Sequence, residues 1–200
     1  MEGDKPRRSK FKRYPIRHLH INIAELRTEE GKLRMSVGID RTSKVAFAKL
    51  AETAGKMEAA AFLREIARAL PYRIHTVLTD NGIQFTNRKE DNYAFRHAFG
   101  IACAEHGIGH RLIKVNHSWT NGQVERMNRT IREATVKRYH YGGHDQLRTH
   151  LADFAAVYNF ARRFKTQRGL TPYEHVDKCW TEEPDGLKVD PHYHMPGPNT

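Results

Sequence analysis

Two acids sit where chemistry is most often done. Asp80 closes the mostly apolar run from Ile74 to Thr79 and is followed at once by Asn81-Gly82. A carboxylate there is pushed past the end of a strand, toward the edge where α/β proteins place their sites. The same residues also suit an ordinary turn before a tight Asn-Gly bend. Glu125 lies in Thr120-Asn121-Gly122-Gln123-Val124-Glu125-Arg126-Met127-Asn128. At about 100° per residue, Val124, Met127, Ile131 and Ala134 make one apolar stripe. Glu125, Asn128, Arg129 and Arg132 gather roughly a quarter turn away. One reading is a solvated face with Glu125 paired to Arg129 at i, i+4. The other is a metal-binding carboxylate with phosphate-gripping neighbours. Phosphoryl transfer by two metals needs several carboxylates converging on ions about 4 Å apart, one activating the attacking oxygen and one steadying the leaving oxygen. Mg²⁺ and Mn²⁺ take hard oxygen ligands of this kind. A third ligand is then expected on the polar face of the first strand.

The elements that must hold these residues follow from periodicity. Leu19, Ile21 and Ile23 alternate with His20, Asn22 and Ala24, and Leu33, Met35, Val37 and Ile39 alternate with Arg34, Ser36, Gly38 and Asp40. Period two on both sides of Thr28-Glu29-Glu30-Gly31 predicts an antiparallel hairpin. Lys44 to Leu50 reads as a third strand. From Met57 the spacing of Phe62, Leu63, Ile66 and Leu70 is helical, and Pro71 stops it. Ile74 to Thr79 reads as a strand, 92–106 as a helix, and Arg111 to Val115 as a short strand. Two longer helical patterns cover 121–139 and 144–164. Three strands, a crossover helix, a strand, a helix, a strand and two helices predict an α/β domain with a mixed sheet.

Composition narrows the partners. The chain has 200 residues, and 34 Lys and Arg against 23 Asp and Glu leave a net charge of +11, which favours an anionic partner, most often nucleic acid. No apolar run approaches the roughly 18 residues of a membrane span. No apolar stretch follows the basic start, so no secretory signal and no membrane partner are expected. Two cysteines, Cys103 and Cys179, exclude a disulfide framework and suit a cytoplasmic chain. No repeat or low-complexity block is visible.

The segments Leu78-Thr79-Asp80-Asn81-Gly82-Ile83-Gln84-Phe85 and Trp119-Thr120-Asn121-Gly122-Gln123-Val124-Glu125-Arg126-Met127-Asn128-Arg129-Thr130 stand in order on a strand end and a helix. Together they resemble the catalytic core of DDE-type transposases and retroviral-type integrases, especially bacterial insertion-sequence transposases. The resemblance runs from about His20 to Tyr173, and Thr171-Pro172-Tyr173-Glu174 is similar to the segment that often closes these cores. It implies a ribonuclease H-like mixed sheet flanked by helices, a site for two Mg²⁺ or Mn²⁺ ions, and DNA strand cleavage and transfer by a homo-oligomer on DNA. By resemblance Asp80 and Glu125 are catalytic metal ligands. The first catalytic Asp of the family aligns with Asn22, in His20-Ile21-Asn22-Ile23-Ala24-Glu25. An amide oxygen can ligate a metal but brings no charge and bridges two ions poorly. The substitution implies an impaired site.

Asp40 shares the polar parity of Asn22 if the hairpin pairs Asn22 with Ser36 or Gly38. It then lies too far along the strand to ligate the same ions, and opens the turn Asp40-Arg41-Thr42-Ser43 instead. Glu25 is on the other face. Asn128, Arg129 and Arg132 are the expected contacts to DNA backbone, with His117 and Trp119 lining the groove or packing a loop. Arg162, Arg163, Lys165 and Arg168 form a second basic cluster, either a phosphate contact or a solvated helix end. Cys103, His106 and His110 lack the spacing of a zinc site. The expected organisation is a basic arm or linker remnant over 1–17, an integrase-type core over 18–176 and a Pro-rich tail over 177–200. The expected function is DNA integration by metal-dependent strand transfer, impaired at Asn22. The alternative is a non-catalytic DNA-binding or assembly module, a truncated or degenerate transposase. A nuclease of RNA–DNA hybrids shares the fold but fits the motifs less well.

Overall fold

The computed structural model describes residues 15–87, 96–113, 122–182, 184 and 187–191. The elements in chain order are β1 (His18–Thr28), β2 (Gly31–Asp40), β3 (Ala46–Ala51), α1 (Lys56–Ala69), β4 (Thr76–Thr79), α2 (Ala98–Glu105), β5 (Gly109–Leu112), α3 (Gly122–Ala134), α4 (His144–Phe160) and α5 (Pro172–Glu182). One five-stranded sheet has the order β3-β2-β1-β4-β5. β1 pairs antiparallel with β2, and β2 with β3, while β1–β4 and β4–β5 are parallel. The mixed α/β fold read from the sequence is the fold observed, with β1 at its centre. Among the described residues no helix is long and apolar enough to cross a membrane.

Strand alternation divides the core in two. Leu19, Ile21 and Val77 join Phe62, Leu63 and Ile66 of α1 and Phe99, Ala102 and Cys103 of α2 on one face. Leu26, Leu33, Met35 and Val37 join Val124, Met127 and Ile131 of α3 and Leu147 and Leu151 of α4 on the other. The sheet is thus buried on both sides, as its parallel half requires.

The hairpin register differs from expectation by one residue. The loop is the two residues Glu29-Glu30, so Thr28 pairs with Gly31, Asn22 with Val37 and Leu19 with Asp40. A one-residue change reverses the face of a paired side chain. Asp40 therefore does not share the face of Asn22. Its turn role is as expected, since Asp40 Oδ1 accepts from the N–H groups of Thr42 and Ser43, each at 2.8 Å.

Other boundaries moved as well. β3 begins at Ala46 because Lys44 has φ +65°, which no strand accommodates. β5 spans Gly109–Leu112 rather than Arg111 to Val115, and Ile113 is the last described residue before the segment 114–121. α2 begins at Ala98, where the His97 ring accepts from Phe99 N–H as an N-cap. α3 ends at Ala134 and α4 at Phe160, both short of the periodic stretches. α5 was not anticipated and runs through residue 177. Thr171 and Glu174 cap it reciprocally, Thr171 Oγ1 accepting from Glu174 N–H at 3.2 Å and Glu174 Oε2 from Thr171 N–H at 2.8 Å. Arg17, counted with the arm, is docked, donating its N–H to Asp40 Oδ2 at 2.7 Å. Residues 1–14 lie outside the described residues, as do His117 and Trp119.

Candidate functional site

β1 and β4 bring the first two candidates together. Leu19 pairs with Val77 and His20 with Leu78. Two residues further along each chain are Asn22 and Asp80. Paired residues of neighbouring strands share a face, and side chains alternate along each strand. Asn22 and Asp80 therefore leave the sheet on the same side, next to one another. That side is the one opposite α1 and α2, because Asn22 pairs across β2 with Val37 of the α3–α4 core.

α3 carries Glu125 over the same face. Its apolar stripe of Val124, Met127 and Ile131 is buried, as expected, while Glu125 and Arg129 are exposed. Two side chains tie the helix along β1. Gln123 Nε2 donates to the Arg41 carbonyl at 3.3 Å, and Arg41 N–H donates to the His18 carbonyl at the start of β1. Arg132 donates from its guanidinium to the Glu25 carbonyl at 3.0 Å, further along β1. Asn22 lies between His18 and Glu25, so α3 covers the stretch of β1 that holds it. No ion pair joins Glu125 to Arg129 among the described residues, so the surface-pair alternative is not realised there.

The turn after β4 sets Asp80. Its Oδ1 accepts from Gly82 N–H at 2.8 Å, an Asx turn, and Asn81 Nδ2 reaches the Ile113 carbonyl at 3.2 Å. A Cβ on Gly82 would lie 2.9 Å from Asp80 Oδ1 and 2.3 Å from Gln84 Oε1. Glycine is thus what lets the carboxylate fold back over its own turn. Thr79, one residue earlier, faces the other way and is fixed by His110, Thr79 Oγ1 lying 2.8 Å from Nε2. The His110 ring also stacks edge-on against Phe99 at 4.9 Å, and burial, with His97 nearby, pushes its pKa down.

The remaining candidates part company. Asn128 is 9% exposed, with its Oδ1 buried and without a partner, and Arg132 is engaged with the strand backbone. Arg129 alone of the three helical DNA candidates is exposed. In the second basic cluster, Arg163 is held by Glu174, and Arg162 stacks on Tyr158 and Phe164 at 5.6 and 5.3 Å. Cys103 is buried in the α1–α2 core, which pushes its thiol up to about 11, and His106 is exposed at the end of α2. Glu25 faces away from the site and pairs with Arg27, Lys32 and Arg34. His20, which is not among the expected site residues, is 4% exposed and two residues before Asn22 on the same face. Burial, then the charges of Arg41 and Lys44, pushes its pKa down to about 4, so it is a neutral neighbour of the site. Its place in the alternation was the readable signal.

The donors suit a hard cation in kind but not in charge. Asn22, Asp80 and Glu125 are all oxygen donors, two of them anionic. Among the described residues no group of three or more His, Cys, Asp and Glu is placed to hold a metal ion. Two carboxylates and an amide suit one divalent ion. A pair of ions carries four positive charges against two negative ones.

Comparison with known proteins gives this arrangement its context. Residues 106–172 match the integrase core domain family. The fold also matches a chain of the simian T-cell lymphotropic virus intasome, solved by cryo-electron microscopy in complex with the PP2A regulatory subunit B56 gamma. That match has a TM-score of 0.65 at 20% identity and covers 80% of this chain and 54% of that one. The fold is an integrase-core fold. In sequence, an uncharacterised Caenorhabditis elegans protein, K02A2.6, is 29% identical over 126 residues, covering 62% of this chain. The chain spans 9% of that relative's length. The integrase-core family match includes α3 with Glu125, whereas Asn22 and Asp80 lie outside it. Their place beside one another rests on strand register.

Proposed function

We propose that this chain is the catalytic core of a DNA transposase or integrase of the insertion-sequence type, with strand transfer impaired by Asn22. The carrying observation is the register that sets Asn22 beside Asp80 on one face of the sheet, under the helix that bears Glu125. The integrase core match over 106–172 supports the same reading. Asp80 and Glu125 would hold Mg²⁺ or Mn²⁺, with the Asn22 amide oxygen as a neutral third donor. The metal would supply polarisation of a phosphodiester and relief of its developing charge. The chain's own residues do the rest. The Gly82 turn holds the Asp80 carboxylate against the strand end, and Arg129 offers a backbone-phosphate contact on the exposed side of α3. Arg132 and Gln123 fix α3, and so Glu125, along β1. DNA is the partner, and a homo-oligomer on DNA is the expected assembly.

A second reading is favoured by one specific residue. With Asn22 in the place of an acid, the core could hold DNA or help assembly without cutting. Both readings require DNA binding driven by charge. The net charge of +11 predicts that duplex affinity falls steeply between about 50 and 200 mM salt, since each bound phosphate releases counterions. Fluorescence anisotropy over that range tests it, and deletion of residues 1–14, which spares Ile16 in the core and the docked Arg17, flattens the slope if the arm contributes. A flat profile in the whole chain contradicts both readings. Cleavage of an RNA–DNA hybrid in preference to duplex DNA would favour the nuclease instead.

A further inference from the structure

Three basic residues converge at the end of the sheet where β2 turns into β3. Lys44 is held there by a left-handed backbone, φ +65°, and its Nζ donates to the Arg41 carbonyl. The same carbonyl accepts from Gln123 Nε2 of α3 at 3.3 Å. Arg126 follows Gln123 by three residues, so it rises on the same side of the helix. The Arg41 carbonyl thus joins Lys44 of the turn to Gln123 of α3, and Arg41 and Arg126 are near enough for their charges to act on Lys44. No carboxylate lies within ion-pair distance of Lys44 or Arg126 among the described residues. Asp40, whose charge acts on Lys44, is 1% exposed, and its oxygens accept from the N–H groups of Arg17, Thr42 and Ser43.

Assembling like charges on a half-buried lysine is unfavourable unless an anion offsets it. Lys44 reflects this. Burial lowers its pKa, the charge of Asp40 pulls it back up, and the smaller effects of Arg41 and Arg126 lower it again. The cluster borders the carboxylates, since Arg126 directly follows Glu125 on α3 and the charges of Arg41 and Lys44 act on His20, two residues before Asn22. Arg41 stands opposite His18, four residues along β1 from Asn22, roughly 13 Å at 3.3 Å per residue.

We propose that Lys44 and Arg126, with Arg41 beside them, form a binding site for a phosphate group of the DNA backbone. The site lies on the α3 side of the sheet, next to the Asn22–Asp80–Glu125 cluster on the Lys44 side. It deepens the DNA reading above and rests on it for the source of the phosphate. Its role is to fix the register of the strand on the core, as phosphate contacts do.

The test is the salt dependence of duplex binding by the whole chain and by Arg126→Gln, Lys44→Asn and Arg68→Gln. Asn tolerates the left-handed backbone, so Lys44→Asn removes charge without adding strain. Arg126 is exposed, and its variant carries the test if the Lys44 variant does not fold. Arg68 on α1 lies on the other face and controls for net charge. Each site variant should lower the slope of log affinity against log salt by about 1, and Arg68→Gln should not. A wild-type slope in both site variants overturns the proposal while leaving DNA binding intact. If the whole chain binds no duplex, the DNA reading fails, and inorganic phosphate decides the site alone. A shift of the Lys44 side-chain resonances on titration with phosphate then supports a phosphate site fed from another source, and no shift overturns it.

Discussion

Asp40 and Gly82 show how much a single residue controls. The Asp40 carboxylate is buried yet accepts from three backbone N–H groups, which together hold the β1 start and the β2–β3 turn. Asp40→Ala leaves those donors buried without partners and should cost about 1–3 kcal/mol per orphaned donor in urea denaturation. Burial raises the Asp40 pKa more than the donors lower it. A raised carboxyl favours the protonated form in the folded state. Its contribution is therefore full below the unfolded value of about 3.9 and is lost as pH rises through the raised folded value. The difference in stability between the whole chain and Asp40→Asn, measured across acid pH, should change in that direction. A difference independent of pH would show that the carboxyl does not titrate in that range. At Gly82 the expected effect is local. A Cβ there meets Asp80 Oδ1, so Gly82→Ala should displace the carboxylate with little loss of thermal stability. In a background made active, it should lower strand transfer more than it lowers melting temperature.

At the level of elements, the sheet and helices are joined by side chains acting as backbone. Asn159 of α4 accepts from Ala46 N–H at 2.9 Å and donates to the Ala46 carbonyl at 2.8 Å, completing the start of edge strand β3. Asn159→Leu should cost about 2–3 kcal/mol, since it buries both groups unpaired. Glu30, in the hairpin loop, accepts from His144 N–H at 2.7 Å and so caps α4 from across the fold. On β2, a Cβ at Gly38 would come within 2.6 Å of Ile66 Cδ1, which sets how closely α1 approaches the sheet. Gly38→Ala should destabilise by roughly 1–3 kcal/mol through overpacking. A chemical melt unchanged by that substitution would mean that Ile66 re-packs freely. The strands were readable because β1 and β2 alternate strictly. Their register was not, because period two fixes faces within a strand but not which residues make the loop. α5 carried its own signal, Thr171-x-x-Glu174 with Pro172 at the first helical position, where its missing N–H costs nothing. The prolines further on masked it.

Across the whole molecule, the sheet divides two cores and sets the candidate site at the centre, where antiparallel β1–β2 meets parallel β1–β4. The motifs around Asp80 and Glu125 were legible because a strand end and a helix turn are local features. The cluster of Arg41, Lys44 and Arg126 was not, because it joins a turn to a helix more than eighty positions away through one carbonyl. The missing charge at position 22 decides whether this core can cut DNA. Its most direct measurement is cleavage and joining of a DNA end substrate with Mg²⁺ or Mn²⁺, comparing the chain as it is, Asn22→Asp, and Asn22→Asp with Glu125→Gln. Restoring the carboxylate adds a third negative charge and a second coordinating oxygen, both of which a pair of divalent ions needs to be held and correctly spaced. Only Asn22→Asp should cleave and join the DNA end. Equal, robust activity in the unmodified chain would contradict it, because Asn22 would then not stand in the place of a missing ligand.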